Sequence, residues 1–232
     1  LKTLVIVAHP DFDGSPTQNF LKASGQLMPD VTYHVLDQLY PDYQIDVAKE
    51  RAILAAHTQI IFQFPLYWYS APTALKAWLD QVLQTKDEER LPNYTGKTLG
   101  LVVATGTAEK QFDPGGSEQF TLAEILRPYQ ALAHKLQMTY RTPLIISQFS
   151  YLTEIQKQRL LIQYQQYLTM TATNFTAQTD WFVQRLVQLQ QKKPDQPQLA
   201  AILATITANQ EQLADLKATL ALMKGEISDG SN

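Results

Sequence analysis

The residues best suited to chemistry fall in three short segments. The first is Phe64-Pro65-Leu66-Tyr67-Trp68-Tyr69-Ser70, where an apolar run stops at a proline and three aromatic side chains crowd into one turn. Beyond the carboxyl end of a strand, aromatic and backbone groups can hold a planar ring, although such side chains more commonly serve a core or an interface. The second is the loop from His9 to Asn19, in which Ser15, Thr17 and Gln18 stand at a helix start. Unpaired N–H groups and the positive dipole end there attract a phosphate. Ser15 also suits an N-cap and Pro16 a first helical position, roles compatible with phosphate binding. His9, directly after an apolar run, can reach a phosphate or a ribityl chain. The third segment is Ala104-Thr105-Gly106-Thr107. Gly106 lets backbone approach a ligand closely, and N–H groups beside it can bond the polar edge of a fused ring. A flavin combines a flat ring with a phosphate tail, and it is the ligand expected.

Composition bounds the remaining chemistry. The 232 residues contain no cysteine, so disulfides, thiolate metal sites and thiol catalysis are excluded, and redox chemistry has to come from a bound cofactor. His9, His34, His57 and His134 show no zinc-like spacing with one another or with carboxylates, so no metal is expected. A net charge of −3, with Lys and Arg scattered, leaves no basic stripe for a nucleic-acid partner. The opening apolar run is too short for a signal peptide, and no run of about 18 apolar residues occurs. Membrane insertion is therefore not expected, and the reading is cytoplasmic.

These segments need a scaffold that brings them together. Apolar runs at 4–8, 31–36, 60–64, 99–104 and 144–147 alternate with helical patterns at 47–57, 73–83, 122–136 and 153–170, after a first helix whose apolar face includes Phe20, Leu21 and Leu27. Such alternation predicts an α/β, flavodoxin-like, doubly wound five-stranded parallel sheet with strand order 2-1-3-4-5. In that order the three segments meet at one end of the sheet. This flavin-binding domain is expected over 1–174. Residues 175–232 read as a helical C-terminal extension, with one helix over 175–192, a break at Lys192-Lys193-Pro194-Asp195-Gln196-Pro197, and a second helix over 198–224. In the second, Leu199, Ile202, Ile206, Asn209, Leu213, Leu216, Leu220 and Met223 occupy successive a and d positions of a heptad repeat. The extension is either packed on its own domain or a helical hairpin or coiled coil for dimerisation.

With Ala8-His9-Pro10, Leu39-Tyr40-Pro41-Asp42-Tyr43-Gln44-Ile45-Asp46, Phe64 through Ser70 and Leu75 through Asp80, residues 1–171 resemble the NAD(P)H:quinone oxidoreductase family. The nearest likeness is to the bacterial branch that includes the ancillary flavoprotein of glutathione-gated potassium efflux. The resemblance implies a flavodoxin-like fold, tightly held FMN or FAD, a homodimer with the flavin near the subunit interface, and ping-pong two-electron reduction of quinones by NAD(P)H. Carried onto this sequence, His9, Ser15, Thr17 and Gln18 match the phosphate loop, Leu66, Tyr67, Trp68 and Tyr69 the flavin platform, and Ala104, Thr105, Gly106 and Thr107 the third loop. The short segment between the second strand and the next helix favours FMN over FAD. No side chain is assigned as catalytic, because flavin N5 carries the hydride; Trp68 and Tyr69 line the site.

Two departures bear on the acceptor. The family's third loop commonly reads Thr-Thr-Gly-Gly, against Ala104-Thr105-Gly106-Thr107 here. Phe112 stands near a tyrosine of better-known members, and no histidine between His57 and His134 replaces the one they carry. The function expected is a flavin-dependent NAD(P)H oxidoreductase with a quinone-like acceptor. The alternative is a regulatory flavin- or nicotinamide-binding subunit acting on a partner such as a potassium-efflux transporter. A flavodoxin-type electron carrier is disfavoured by the tail and the modest acidity.

Overall fold

The structure, a computed structural model, describes residues 1–84 and 93–229, with side chains through residue 223. The chain divides into two compact units, Leu1–Met170 and Thr171–Asn232. The first runs β1 (Thr3–Val7), α1 (Pro16–Gly25), β2 (Val31–Val35), α2 (Leu36–Leu39), α3 (Val47–Ala56), β3 (Gln59–Pro65), α4 (Thr73–Val82), β4 (Thr98–Thr105), α5 (Leu122–Ile125), α6 (Arg127–Lys135), β5 (Thr139–Tyr140), β6 (Leu144–Ser147) and α7 (Glu154–Thr169). The second holds α8 (Phe175–Lys192) and α9 (Pro197–Asp229).

The strands are parallel in the order β2-β1-β3-β4-β5, and β6 also pairs with β4. The flavodoxin-like order is present, with six strands in place of the expected five. The extra strand comes from an interrupted edge: Thr98 pairs with Thr139 in β5, and Val102 with Leu144 in β6. Pro143, between them, has no N–H to give the ladder. Helix boundaries shift for a similar reason. The helix expected over 122–136 is two, α5 and α6, with Pro128 in the first turn of the second, where a proline is tolerated.

Successive residues of a strand face opposite sides of the sheet, which divides the core in two. Leu4, Ile6, Ile60, Phe62 and Phe64 pack with Leu54, Trp78 and Ala133 on the side of α3, α4 and α6. Val5, Val7 and Ile61 pack with Leu21, Leu160, Tyr164 and Leu168 on the side of α1 and α7. Strands covered on both faces read as unbroken apolar runs; β3 departs from this at Gln59 and Gln63, both fully buried. Gln59 closes the end of α7. Its Nε2 donates to the Tyr167 and Leu168 carbonyls at 3.0 and 3.2 Å, and Thr3 Oγ1 donates to Leu168 at 2.7 Å. Arg141 Nη1 donates to Tyr167 O and to Gln59 Oε1, both at 2.7 Å. The last carbonyls of a helix lack intrahelical donors, and these side chains supply them.

A buried carboxylate joins three elements and the residue that ends α2 on the other face. Glu50 of α3 accepts from Tyr40 OH at 2.6 Å and Trp78 Nε1 at 2.8 Å, and lies 2.7 Å from His34 Nε2. Burial pushes its pKa up, but the hydrogen bonds from His34, Tyr40 and Trp78 outweigh this and hold it below the usual carboxylate value.

Register places the loops. Val7 pairs with Gln63, Pro65 with Ala104 and Thr105 with Ser147. The loops after β1, β3, β4 and β6 therefore leave the same edge of the sheet side by side. In the second unit, α8 and α9 pack on each other, and Gln210 Nε2 donates to Asp180 Oδ1 at 3.2 Å. Among the described residues no helix is long and apolar enough to cross a membrane.

Candidate functional site

At the carboxyl ends of these strands lies a cleft of about 250 Å³ lined by His9, Ser15, Thr17, Gln18, Leu66, Tyr67, Ala104, Thr105 and Gly106, among others. A second recess of about 170 Å³ shares Leu66, Thr105 and Gly106 and adds Trp68, Tyr69, Thr107, Phe112 and Glu118. All twelve residues singled out from the sequence line one or the other. Joined, the two spaces fall in the range of small-molecule sites, roughly 300–1,000 Å³.

The floor of one end is the start of α1. Ser15 is its N-cap, with Oγ accepting from Gln18 N–H at 3.3 Å, and Pro16 is its first residue. Thr17 N–H, at the second helical position, has no intrahelical acceptor. The acids of the loop are occupied locally: Asp11 Oδ1 accepts from Gly14 N–H at 3.0 Å, and the Asp13 carboxylate accepts from Gln38 Nε2. That leaves the helix start free to meet an anion.

His9 is held by its own loop. Its N–H donates to Asp37 Oδ2 at 2.7 Å, and its Nδ1 accepts from Asp11 N–H at 3.1 Å. An accepting Nδ1 assigns the ring proton to Nε2. Burial lowers the His9 pKa, against the opposing pull of Asp11 and Asp37, so the neutral form with an Nε2–H donor is favoured.

The aromatic turn has an unusual backbone. Tyr67 N–H donates to Ser70 O at 2.9 Å and Ser70 N–H to Tyr67 O at 3.0 Å, closing a two-residue hairpin with Trp68 and Tyr69 at its corners. Their φ angles are 48° and 63°. A hairpin with both corners at positive φ is the place of Asn-Gly, and a bulky residue there is strained by about 1–3 kcal/mol. Trp68 is nevertheless 94% exposed. Tyr69 is steadied by its hydroxyl, which donates to Glu118 Oε2 at 3.0 Å.

Thr105 shapes the third loop more than it faces the cleft: its Oγ1 bonds the Thr107 carbonyl at 2.8 Å and Ser147 Oγ at 3.1 Å. Above Gly106 there is open space, since a Cβ built on it would meet no atom within 4 Å. Phe112 is buried and borders the recess beside Glu118.

Sequence reasoning missed a fourth wall. Gln148, Phe149, Ser150 and Tyr151, following β6, line the cleft beside α1, with the Phe149 ring 5.2 Å from that of Phe20. Gln148 takes φ 50°, and its N–H donates to Thr105 O at 2.8 Å. The signal was the strand order itself, which sets the loop after the edge strand beside the loop after β4. A larger cavity of about 740 Å³ lies between α4 and α6 and meets the recess at Leu66 and Tyr69. Its charged residues, Lys76 and Asp80, pair with each other one helical turn apart, so it offers no free reactive group. Among the described residues no cluster of His, Asp and Glu could hold a metal ion.

Known proteins resemble this chain in sequence and in fold. A family model described as Flavodoxin_2, of flavodoxin-like fold, matches residues 1–168. The glutathione-regulated potassium-efflux system ancillary protein KefG of Cronobacter sakazakii is 39% identical over 62% of this chain and 80% of that protein. A crystal structure titled as an NADPH-quinone reductase from P. pentosaceus is 42% identical, covers 74% of this chain and all of that one, and superposes with a TM-score of 0.69. General stress protein 14 of Treponema denticola, solved in complex with FMN, is 30% identical over 72% of this chain and 98% of that one, with a TM-score of 0.64. The chain belongs to the Flavodoxin_2 family, and within it to the NAD(P)H:quinone oxidoreductases.

Proposed function

We propose that this chain is a flavin-dependent NAD(P)H oxidoreductase whose cofactor is FMN, and that it passes two electrons by a ping-pong route from NAD(P)H to a quinone-like acceptor. The observation that carries this reading is the strained, solvent-facing Trp68-Tyr69 corner standing over a cleft that ends at the start of a helix. Strain of that kind persists where a site uses it.

The residues present fit the cofactor. Thr17 N–H, the Ser15 and Thr17 hydroxyls and the dipole end of α1 suit a phosphate. His9, neutral with its proton on Nε2, suits the phosphate or the ribityl chain as a donor. Tyr67, Trp68 and Tyr69 suit one edge of a fused ring, and the space above Gly106 admits its polar rim. An FMN-bound relative 30% identical to this chain supports the same choice over FAD.

Bound flavin supplies hydride transfer at its N5. The chain's residues would bind and orient it: Leu66, Tyr67, Trp68 and Tyr69 would hold the ring, the third loop, Ala104 to Thr107, would address its polar groups, and Trp68 and Tyr69 would border the side open to nicotinamide and acceptor. Phe112 stands in the recess with no hydroxyl to offer a reduced acceptor. Dependence on NAD(P)H fits a cytoplasmic setting.

A second reading has its own support in the likeness to an ancillary protein of potassium efflux. There the chain would act on a transporter as a regulatory subunit, sensing flavin or nicotinamide. Spectroscopy separates the two. An oxidoreductase shows flavin absorption that NAD(P)H bleaches without oxygen and a quinone restores. Flavin absorption that NAD(P)H leaves unchanged favours the regulatory subunit, and absence of both flavin and nicotinamide binding removes both.

A further inference from the structure

A buried chain of hydrogen bonds leads from the cleft along the α1 and α7 face of the sheet. Gln63 Nε2 donates to Gln18 Oε1 at 2.6 Å, and Tyr164 OH donates to Gln63 Oε1 at 2.6 Å. The Tyr164 and Tyr33 hydroxyls lie 2.7 Å apart, and Tyr33 OH also reaches the Leu21 carbonyl at 3.2 Å. Gln18, Gln63 and Tyr164 are at most 1% exposed. Burial raises the pKa of both tyrosines, which keeps their hydroxyls protonated.

Position 63 lies mid-strand in a sheet covered on both faces, where an apolar residue is the ordinary choice. A buried polar chain is tolerated only when its members are satisfied, and it then fixes one arrangement. Gln18 cannot rotate without breaking a buried bond, which would leave the Gln63 amide unsatisfied. With its Oε1 engaged below, Gln18 is left with Nε2, an N–H donor, for the cleft. Four elements meet in this chain: α1 through Gln18, β3 through Gln63, α7 through Tyr164 and β2 through Tyr33.

We propose that Gln63 and Tyr164 are positioning residues that hold the Gln18 amide as a fixed N–H donor toward an oxygen of the bound flavin. The inference rests on the flavin reading above and names how one wall of that site is kept in place.

Titration of FMN into the flavin-free full chain, followed by flavin fluorescence, tests it alongside the melting temperature of the same samples. Tyr164→Phe removes only the hydroxyl and should raise the FMN Kd about tenfold, the order that one hydrogen bond contributes. Gln18→Ala should also raise it, and in that background Tyr164→Phe should have no further effect on Kd, whatever it does to melting. A merely structural role gives a different result: a lower melting temperature with unchanged Kd, or the same loss of affinity in both backgrounds. Either result overturns the proposal. Should Tyr164→Phe fail to fold, Tyr33→Phe runs the same cycle with a smaller expected rise, and additivity with Gln18→Ala refutes the coupling. An unmodified chain that binds no FMN ends the cofactor reading and this inference together. Firm FMN binding with additive variants ends this inference alone.

Discussion

Trp68 and Tyr69 occupy hairpin corners that Asn and Gly fill without strain, so the flavin-free chain bears the cost of presenting them. Replacing both, Trp68→Asn with Tyr69→Gly, should raise the stability of the flavin-free protein by about 1–2 kcal/mol in denaturant unfolding while weakening FMN retention. A double variant that is less stable than the original would mean that the corner is packing rather than function. Gly106 gives the converse test. No neighbour stands within 4 Å of a Cβ there and its φ is not positive, so Gly106→Ala should leave melting unchanged or slightly raised. The same methyl group points into the space assigned to the ring, and FMN affinity should fall several-fold; undiminished affinity would place the ring elsewhere.

Among the elements, α3 depends on a carboxylate that sequence patterning did not single out. Glu50 lies in the inward stripe of α3, Val47, Glu50, Arg51 and Leu54, but two of those four residues are charged, so no apolar pattern marks it, and its three partners are distant in sequence. Glu50→Ala strands the Tyr40 and Trp78 donors in the core and should cost about 3 kcal/mol or more, at about 1–3 kcal/mol for each unsatisfied group. Because the folded-state pKa of Glu50 is depressed, its contribution is complete above the unfolded carboxylate value and is lost as pH falls through the folded value. Acid unfolding monitored below about pH 4.5 should therefore be shallower in Glu50→Gln than in the original chain. The contrast with β1 and β3 is instructive. Continuous apolar runs such as Leu4 to Val7 made the central strands legible, and loops at strand ends followed from topology. Glu50 and the Gln63–Tyr164 chain were not, because each depends on which distant residues the fold brings into contact. Pro143 and Pro128 marked the breaks at β5–β6 and α5–α6, but proline alone does not tell an interruption from an end.

At the scale of the whole molecule, two compact units share one chain, and α9 is the longer partner in the second. Its half-buried positions are Leu199, Leu203, Ile206, Gln210 and Leu213. Three of these belong to the heptad stripe, whereas Ile202, Leu216, Leu220 and Met223 of that stripe are exposed. We read the exposed part as a seam for a second copy, with Asn209 setting register. Sedimentation of the full chain and of one ending at Met170 checks this: a dimer that becomes a monomer supports the seam, and an unchanged state assigns any dimer to the first unit. The shorter chain should still bind FMN, since every residue lining the cleft lies before it ends.

The exposed indole at Trp68 also makes the molecule its own indicator. Trp78 is sealed in the core at 1% exposure and Trp181 of α8 is half-buried, so the three emit from unlike surroundings, the solvent-facing ring at the longest wavelength. A yellow chromophore seated against Trp68 would absorb that red-edge light most strongly, and loading should shift the remaining emission toward the blue. Stopped-flow fluorescence could then time cofactor capture without any attached dye.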